Sequence, residues 1–260
     1  PYYFSRNLAQ GGINPNTRTL FDSNDSYVSR GGSSSGRDFA AGAATTDKNI
    51  TMFDNHYTAP KAIRQVDYYL DSVRQKAKPN ELYIIWIGVN NIGYAALTSL
   101  DPKKVVAATQ TAIHDNLTMV KKLHDAGAKH ILIIGMFDIG KLPTITQIPV
   151  IGDKKIVSDT VSSVATWYNA QLKDELAMLR DSAGNKIPVM FYNPEGIMDT
   201  IVNDVNEKGS YTLDNLMINN VKGVQCSGGA LASLQCENQT PDSEHYMFAD
   251  MVHPSDVMHR

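Results

Sequence analysis

The sequence has few of the features that would assign it to a specialised class of protein. Its 260 residues contain no apolar run near the roughly 20 residues that a membrane-spanning helix needs. A formal net charge of −3 gives no electrostatic reason to expect binding to nucleic acid or to an anionic membrane surface. The first residues, PYYFSRNLAQ, include neither an initiator methionine nor a signal-peptide core, so we expect the chain to start inside a longer precursor.

Cysteine is also scarce, since Cys226 and Cys236 are the only two in the sequence. They stand in the Gly/Ser-rich segment QCSGGALASLQCENQ, with no histidine or further cysteine at zinc-ligand spacing nearby. This arrangement favours a disulfide bond that closes a small loop, and such a bond forms in an oxidising compartment. The alternative is two unrelated free thiols in a cytosolic protein.

Helical and strand patterns alternate along the chain. PKAIRQVDYYLDSVRQKA has helical periodicity and precedes the apolar strand ELYIIWIG. A helix that begins after Asp101 precedes the strand HILIIGMF, and a helix over about 157–179 precedes IPVMFYN. Such apolar strands are typical of a parallel sheet covered on both faces. The pattern predicts one α/β domain over residues 1–260, with three layers and a central, mostly parallel sheet.

Ligands of such folds bind beyond the carboxyl ends of the strands, so the segments after the strands are candidates for a site. GVNNIG follows the first strand and contains two consecutive asparagines, Asn90 and Asn91. Asparagine is a poor strand residue, so this pair needs a reason. Either the amides cap a turn, or one of them points into a site. FDIGKLP and YNPEG follow the other two strands.

Two further segments contain residues suited to hydrolytic chemistry. In FADMVHPS, Asp250 and His253 are separated by two residues, and Pro254 restricts the backbone after the histidine. A carboxylate beside an imidazole sets its tautomer and stabilises its protonated form, as a general base serving a hydroxyl nucleophile requires. An incidental Asp-x-x-His is the alternative. In RDFAAGAATT, Gly42 either lets a ligand approach a backbone N–H or forms a tight turn against a helix.

Taken in order, DFAAGAAT, WIGVNNI and FADMVHPS resemble blocks II, III and V of the SGNH hydrolases, also called GDSL esterases and lipases. FDIGKLP resembles a further segment of this family, and the resemblance runs from about Asp38 to Ser255. The cysteine segment is similar to that of secreted bacterial members, namely lysophospholipases A, glycerophospholipid:cholesterol acyltransferases and autotransporter esterases. The resemblance therefore favours an exported bacterial protein that is secreted, periplasmic or on the outer surface. Asn-x-Ser/Thr matches at Asn24, Asn49, Asn116 and Asn238 leave a eukaryotic origin open.

The same resemblance implies a serine-type ester hydrolase with roles for particular residues. Asp250 would orient His253, which takes the proton of a nucleophilic serine, and Gly42 and Asn90 would hold the oxyanion. Asn91 stands where the family usually has aspartate, and its expected role is structural. No metal or organic cofactor is implied. The expected substrates are lipid acyl esters, lysophospholipids above all, with acyl transfer to an alcohol as a second outcome. A protease is an expected activating partner at the Cys226–Cys236 loop.

The nucleophile of this family, the serine of a Gly-Asp-Ser-Leu turn, has no counterpart in the sequence, because Gly-Asp-Ser occurs nowhere in it. LFDSNDSY offers Ser23 or Ser26 after an aspartate but lacks the glycine. The favoured expectation is that this block precedes Pro1, and that the chain also ends inside the last helix. Two alternatives stay open: a binding protein that has lost its serine, and an esterase for short-chain or carbohydrate esters.

Overall fold

The computed structural model describes residues 39–52, 57–98, 101–147, 154–227 and 238–259. Ser23, Ser26 and Cys236 lie outside these residues. The chain groups into two compact units, each described by itself below. The prediction that residues 1–260 form one domain stays a prediction.

Short strands alternate with helices along the described residues, as the sequence pattern predicts. The strands are β1 (Ile50–Met52), β2 (Tyr57–Ala59), β3 (Leu82–Ile85), β4 (His130–Ile134), β5 (Met190–Tyr192), β6 (Tyr211–Leu213), β7 (Leu216–Ile218), β8 (Asn220–Val224), β9 (Cys226–Ser227), β10 (Asn238–Gln239) and β11 (Tyr246–Phe248). The helices are α1 (Ala62–Ser72), α2 (Val89–Thr98), α3 (Pro102–Asp125), α4 (Pro143–Thr146), α5 (Lys154–Met178), α6 (Glu195–Lys208) and α7 (Asp256–His259), with a 3-10 helix at Ile139–Lys141.

The first unit, called the sheet unit here, comprises the described part of residues 39–136 together with Tyr168–Asn193. At its centre β3, β4 and β5 pair in parallel and in that order. Parallel neighbours need crossover connections, and helices supply these connections in the sequence. The predicted α/β class with a parallel sheet is therefore confirmed.

Local signals set the bounds of the longest helix in this unit. The side chain of Asp101 accepts a hydrogen bond from the backbone N–H of Lys103 at 2.9 Å, and Pro102 occupies the first helical position. Beyond the last residue, Gly127 has a φ of 109°, where residues with a side chain are strained. The helix that the sequence predicts after Asp101 is thus present as α3.

The two faces of the central sheet differ in exposure. On one face the side chain of Tyr83 is buried against Tyr69 of α1, and the two hydroxyls share a hydrogen bond. The other face has apolar side chains that are 36–51% exposed: Leu82, Ile84, Trp86, Met190 and Tyr192. β3 therefore alternates between buried and exposed residues, whereas its apolar sequence predicts burial on both faces. Side chains of successive strand residues point to opposite faces of a sheet. Within the described residues, only one face of β3 is covered by other side chains.

The second unit, called the C-terminal unit here, comprises the described residues of Phe137–Trp167 and Pro194–Arg260. In it β8 pairs in parallel with β11, while β6–β7 and β9–β10 are antiparallel pairs. Its core includes the buried Met198, Ile218, Met247 and Phe248. The helix α6 ends at Gly209, which adopts the left-handed conformation at φ 83° and donates its N–H to the carbonyl of Val205.

Within the described part of the chain, no helix combines the length and the apolar character that crossing a membrane requires.

Candidate active site

In the C-terminal unit, the carboxylate of Asp250 contacts the imidazole of His253. His253 Nδ1 lies 2.9 Å from Asp250 Oδ2 and 3.1 Å from Oδ1. Oδ1 also accepts the backbone N–H groups of Val252 and His253, at 2.9 and 2.8 Å. Asp250 is completely buried, while the side chain of His253 is 45% exposed. The carboxylate is therefore fixed by backbone donors and holds the imidazole through Nδ1, which leaves Nε2 on the more exposed side.

The backbone around this pair forms a closed turn at the end of β11. The N–H of Ala249 donates to the carbonyl of His253 at 2.9 Å, across the base of the turn. The carbonyl of Met251, at its tip, accepts from the N–H of Thr144 at the same distance. Pro254 follows the histidine and restricts the exit of the chain. Residues close together in the sequence thus bring the Asp250 carboxylate and the His253 imidazole into contact.

In the sheet unit, Asn90 and Asn91 belong to the first turn of α2, just beyond β3. Asn90 is half-buried, and its Nδ2 donates to the carbonyl of Ala44 at 3.0 Å. A primary amide has two N–H groups, and within the described residues only this one acceptor is found for Asn90. The contact places Asn90 beside the turn that contains Gly42, two residues before Ala44.

Gly42 lies in an exposed turn, and the next residue, Ala43, has a left-handed φ of 63°. A Cβ added to Gly42 would have no heavy atom within 4 Å apart from its chain neighbours. Packing against a helix therefore does not account for glycine at this position. The role of the Gly42 N–H stays a prediction.

The side chain of Asn91 ties α2 to the segment after Gly42. Asn91 is 5% exposed, its Oδ1 accepts from the N–H of Thr46 at 3.0 Å, and its Nδ2 donates to Thr46 Oγ1 at 2.9 Å. Nδ2 also donates to Asp47 Oδ1 at 3.1 Å. Both ends of this amide are thus used within the protein, which fits the structural role predicted for Asn91 and answers the question that the asparagine pair raises.

The contact with Asp47 predicts that aspartate at position 91, the residue usual in the resembling family, is not tolerated here. Asn91→Asp would remove the donor and set two carboxylates about 3 Å apart, which we expect to cost about 1–3 kcal/mol of unfolding free energy. The double variant Asn91→Asp/Asp47→Asn restores a donor–acceptor pair and should recover most of that loss. Urea denaturation of the two single variants and the double variant gives the coupling energy.

A coupling energy near zero would contradict this pairing. Asp47→Asn alone serves as the matched control, because Asp47 is exposed and an amide there can rotate to offer its oxygen to Asn91. We expect that single variant to lie within about 0.5 kcal/mol of the wild type.

Cys226 is buried and forms the β9 side of the β9–β10 pair, in which Ser227 stands opposite Asn238. The ends of the intervening loop are therefore adjacent. The N–H of Cys226 donates to the carbonyl of Ala249 at 2.8 Å, one residue before Asp250. The cysteine loop thus begins against the backbone of the Asp250–His253 turn. Cys236 lies outside the described residues, and the Cys226–Cys236 bond stays a prediction.

Sequence reasoning did not identify every residue that organises these two regions. Asp47 was missed because nothing local shows that it faces Asn91, 44 residues away. Asp138, in FDIGKLP, is buried and caps the 3-10 helix by accepting from the N–H of Gly140 at 2.9 Å, a role that an aspartate before a helical turn could have indicated. Within the described residues, no group of three or more His, Cys, Asp or Glu is placed to hold a metal ion.

The predicted site residues fall in both units. Asp250 and His253 meet in the C-terminal unit, and Asn90 contacts the turn of Gly42 in the sheet unit. A buried carboxylate on a partly exposed imidazole is the arrangement of a general base, and a side-chain amide beside a glycine turn is that of an oxyanion donor. Both roles stay predictions.

Comparison with known proteins identifies the class. The family model of the GDSL-like lipase/acylhydrolases matches residues 10–260, so the chain belongs to the GDSL-like lipase/acylhydrolase family. It is 26% identical to GDSL esterase/lipase EXL2 of Arabidopsis thaliana over 188 residues, 70% of this chain and 47% of that protein. It is 25% identical to GDSL esterase/lipase EXL4 of the same plant over 237 residues, 85% of this chain and 64% of the relative.

A bacterial relative matches a shorter part of the chain. Lipase 1 of Photorhabdus luminescens is 30% identical over 112 residues, which are 43% of this chain and 16% of that protein. The chain thus spans less than two thirds of the length of each of these three relatives.

Proposed function

We propose that this protein is a serine-type hydrolase of lipid acyl esters, acting on lysophospholipids. The observation that carries the proposal is the Asp250–His253 pair, in which a buried carboxylate holds Nδ1 of a partly exposed imidazole at 2.9 Å. That arrangement fixes one tautomer of the neutral ring and leaves Nε2 to accept a proton from a hydroxyl nucleophile. Membership of the GDSL-like lipase/acylhydrolase family supports the reaction class.

The proposed reaction has two halves. A serine hydroxyl attacks the ester carbonyl carbon while His253 Nε2 takes its proton, and the resulting oxyanion accepts hydrogen bonds from the Asn90 amide and the Gly42 N–H. Collapse breaks the ester C–O bond, and His253 returns the proton to the leaving alcohol. Water, deprotonated by His253, then attacks the acyl-enzyme and releases the acid. An alcohol in place of water would give acyl transfer.

Lipid esters are proposed as substrates because two plant relatives are named esterase/lipases and a bacterial relative is named a lipase. The narrower choice of lysophospholipids rests on the resemblance of the cysteine segment. An esterase for short-chain or carbohydrate esters is the competing outcome. Hydrolysis rates that rise with acyl chain length from four to sixteen carbons would favour the lipid substrate.

The cysteine loop suggests where the protein works and how it is controlled. A Cys226–Cys236 bond would fit a secreted, periplasmic or surface protein, and the bacterial and plant relatives leave that location open. The backbone N–H of Cys226 donates to the carbonyl of Ala249, beside the Asp250–His253 turn. Cleavage of the loop by a protease would therefore act next to the proposed general base. We therefore propose this loop as the site of an activating protease.

Covalent labelling tests the proposal. A long-chain alkyl fluorophosphonate should modify one serine of the full-length protein, with loss of fluoride, because only an activated hydroxyl attacks it at an appreciable rate. Peptide mapping by mass spectrometry locates that serine, and Ser23→Ala decides whether it is Ser23. The same map, run without reduction, reports whether Cys226 and Cys236 are joined.

Folded full-length protein that takes up no label and hydrolyses no ester would contradict the hydrolase proposal and favour a binding protein that lacks its nucleophile. The matched control is protein denatured before the probe is added, in which every serine is accessible and none is activated.

A further inference from the structure

The hydroxyl of Tyr168, on α5, lies inside the sheet unit at the carboxyl end of β3. Tyr168 is 1% exposed, and its hydroxyl donates to the carbonyl of Ile87 at 2.9 Å. It accepts in turn from Nδ2 of Asn116, a fully buried residue of α3, at 3.2 Å. Burial raises the pKa of this phenol well above its usual value, so the group remains a neutral O–H donor at physiological pH.

The same hydroxyl packs against Gly88, the residue that links β3 to α2. Gly88 has a φ of 121°, and a Cβ built on it would lie 2.5 Å from the Tyr168 oxygen. The first turn of α2 starts from this glycine, whose carbonyl accepts the N–H of Ile92. The direction of that turn is thus set by two constraints, the glycine conformation and the Tyr168–Ile87 hydrogen bond.

The neighbouring residue, Asn169, holds the end of the next strand in the same way. Its Oδ1 accepts from the N–H of Met136 and its Nδ2 donates to the carbonyl of Met136, both at 2.7 Å. Nδ2 also donates to Oδ1 of Asn193, just after β5, at 3.0 Å. Two consecutive residues of α5 therefore bond to the segments that follow all three strands of the sheet.

We propose that Tyr168 is a positioning residue for the oxyanion side of the site. Asn90 lies two residues after Gly88, and its amide can stabilise an oxyanion only if it is held within a fraction of an ångström. The Tyr168–Ile87 hydrogen bond fixes the Ile87–Gly88 turn and with it the start of α2. Tyr168 itself is buried and need not touch the substrate. The inference rests on the proposed function, because it assigns Tyr168 to the placement of the Asn90 amide.

The sheet unit contains a second buried tyrosine that serves as a matched control. Tyr83, on β3, is also buried, and its hydroxyl donates to the carbonyl of Lys78 at 3.0 Å and contacts the hydroxyl of Tyr69 at 2.6 Å. Burial likewise raises the pKa of Tyr83. The acceptor of Tyr83, however, precedes β3, whereas the acceptor of Tyr168 follows it. Tyr83 therefore forms this hydrogen bond at the amino end of β3, and Tyr168 at the carboxyl end. Removing either hydroxyl takes two hydrogen bonds from the sheet unit.

The test compares Tyr168→Phe with Tyr83→Phe in the esterase-active protein. We expect Tyr168→Phe to lower kcat toward a p-nitrophenyl ester about tenfold or more, with KM changed less than twofold, because a misplaced donor acts on the transition state. Tyr83→Phe should lose comparable resistance to urea and keep kcat within twofold. Hydrogen exchange of the peptide covering residues 87–92 should accelerate in Tyr168→Phe and remain unchanged in Tyr83→Phe.

Equal effects of the two substitutions on kcat, or unchanged kcat in Tyr168→Phe, would overturn the proposal. If the wild type hydrolyses no ester, the proposed function fails, and hydrogen exchange still tests whether Tyr168 fixes the 87–92 segment. If Tyr168→Phe does not fold, hydrogen exchange of residues 87–92 is measured in the wild type. Exchange as fast as in an unprotected loop overturns the assignment. Protection comparable to that of β3 supports it.

Discussion

Replacement of His253 by alanine is expected to lower kcat for p-nitrophenyl ester hydrolysis by about 10³-fold or more, because the serine loses the base that takes its proton. KM should change little, since the imidazole acts on the nucleophile. The fold should survive, because His253 is 45% exposed at its side chain and its backbone hydrogen bonds do not depend on the ring. Steady-state kinetics on the purified variant, with a urea titration alongside, measures both effects.

Asp250→Asn is the companion change and is expected to lower kcat by about 10⁴-fold. Asparagine offers one oxygen, whereas both carboxylate oxygens contact the imidazole and Oδ1 also accepts two backbone N–H groups. The amide would present an N–H to the ring or to the backbone donors, and the ring would lose its fixed tautomer. This variant should also be less stable, because Asp250 is completely buried.

His245 is the control for both variants. It lies in the same unit, and its Nδ1 is 3.1 Å from the carbonyl of Met217. His245→Ala should reduce stability slightly and leave kcat within about twofold. Most of the wild-type turnover in His253→Ala would show that the Asp250–His253 pair is structural.

Replacement of Asn90 by alanine is expected to lower kcat by about 10²–10³-fold while KM stays nearly constant, because an oxyanion donor acts only once charge develops on the carbonyl oxygen. The variant also loses the 3.0 Å hydrogen bond to Ala44, which should cost about 1 kcal/mol of stability. The loss in kcat would exceed what that small destabilisation explains. Initial rates well below the melting transition isolate the catalytic effect.

Asn91→Ala provides the comparison for Asn90→Ala. Asn91 is the more deeply buried amide and makes three hydrogen bonds, to Thr46 and Asp47. Its loss should reduce stability more than Asn90→Ala does, and kcat less than tenfold. Equal losses of kcat in the two variants would mean that Asn90 is a structural cap.

Sequence reasoning reached those features that depend on residues close together along the chain. Asp101 and Pro102 mark the start of α3, and the alternation of patterns predicts the parallel pairing of β3, β4 and β5. The contact between Asp250 and His253 also follows from local sequence, because three residues of a tight turn bring the two side chains together. Capping and turn geometry involve neighbours, so one short segment contains the whole signal.

Only the tertiary structure decided which of the two asparagines is used internally. Asn90 and Asn91 are neighbours of the same residue type, yet one bonds to Ala44 and the other to Thr46 and Asp47, contacts that span 44 to 46 residues. The same holds for Tyr168, whose hydrogen bond to Ile87 joins residues 81 positions apart in the sequence. Such contacts depend on how α2 and α5 pack against the sheet, and that packing involves residues from distant parts of the sequence.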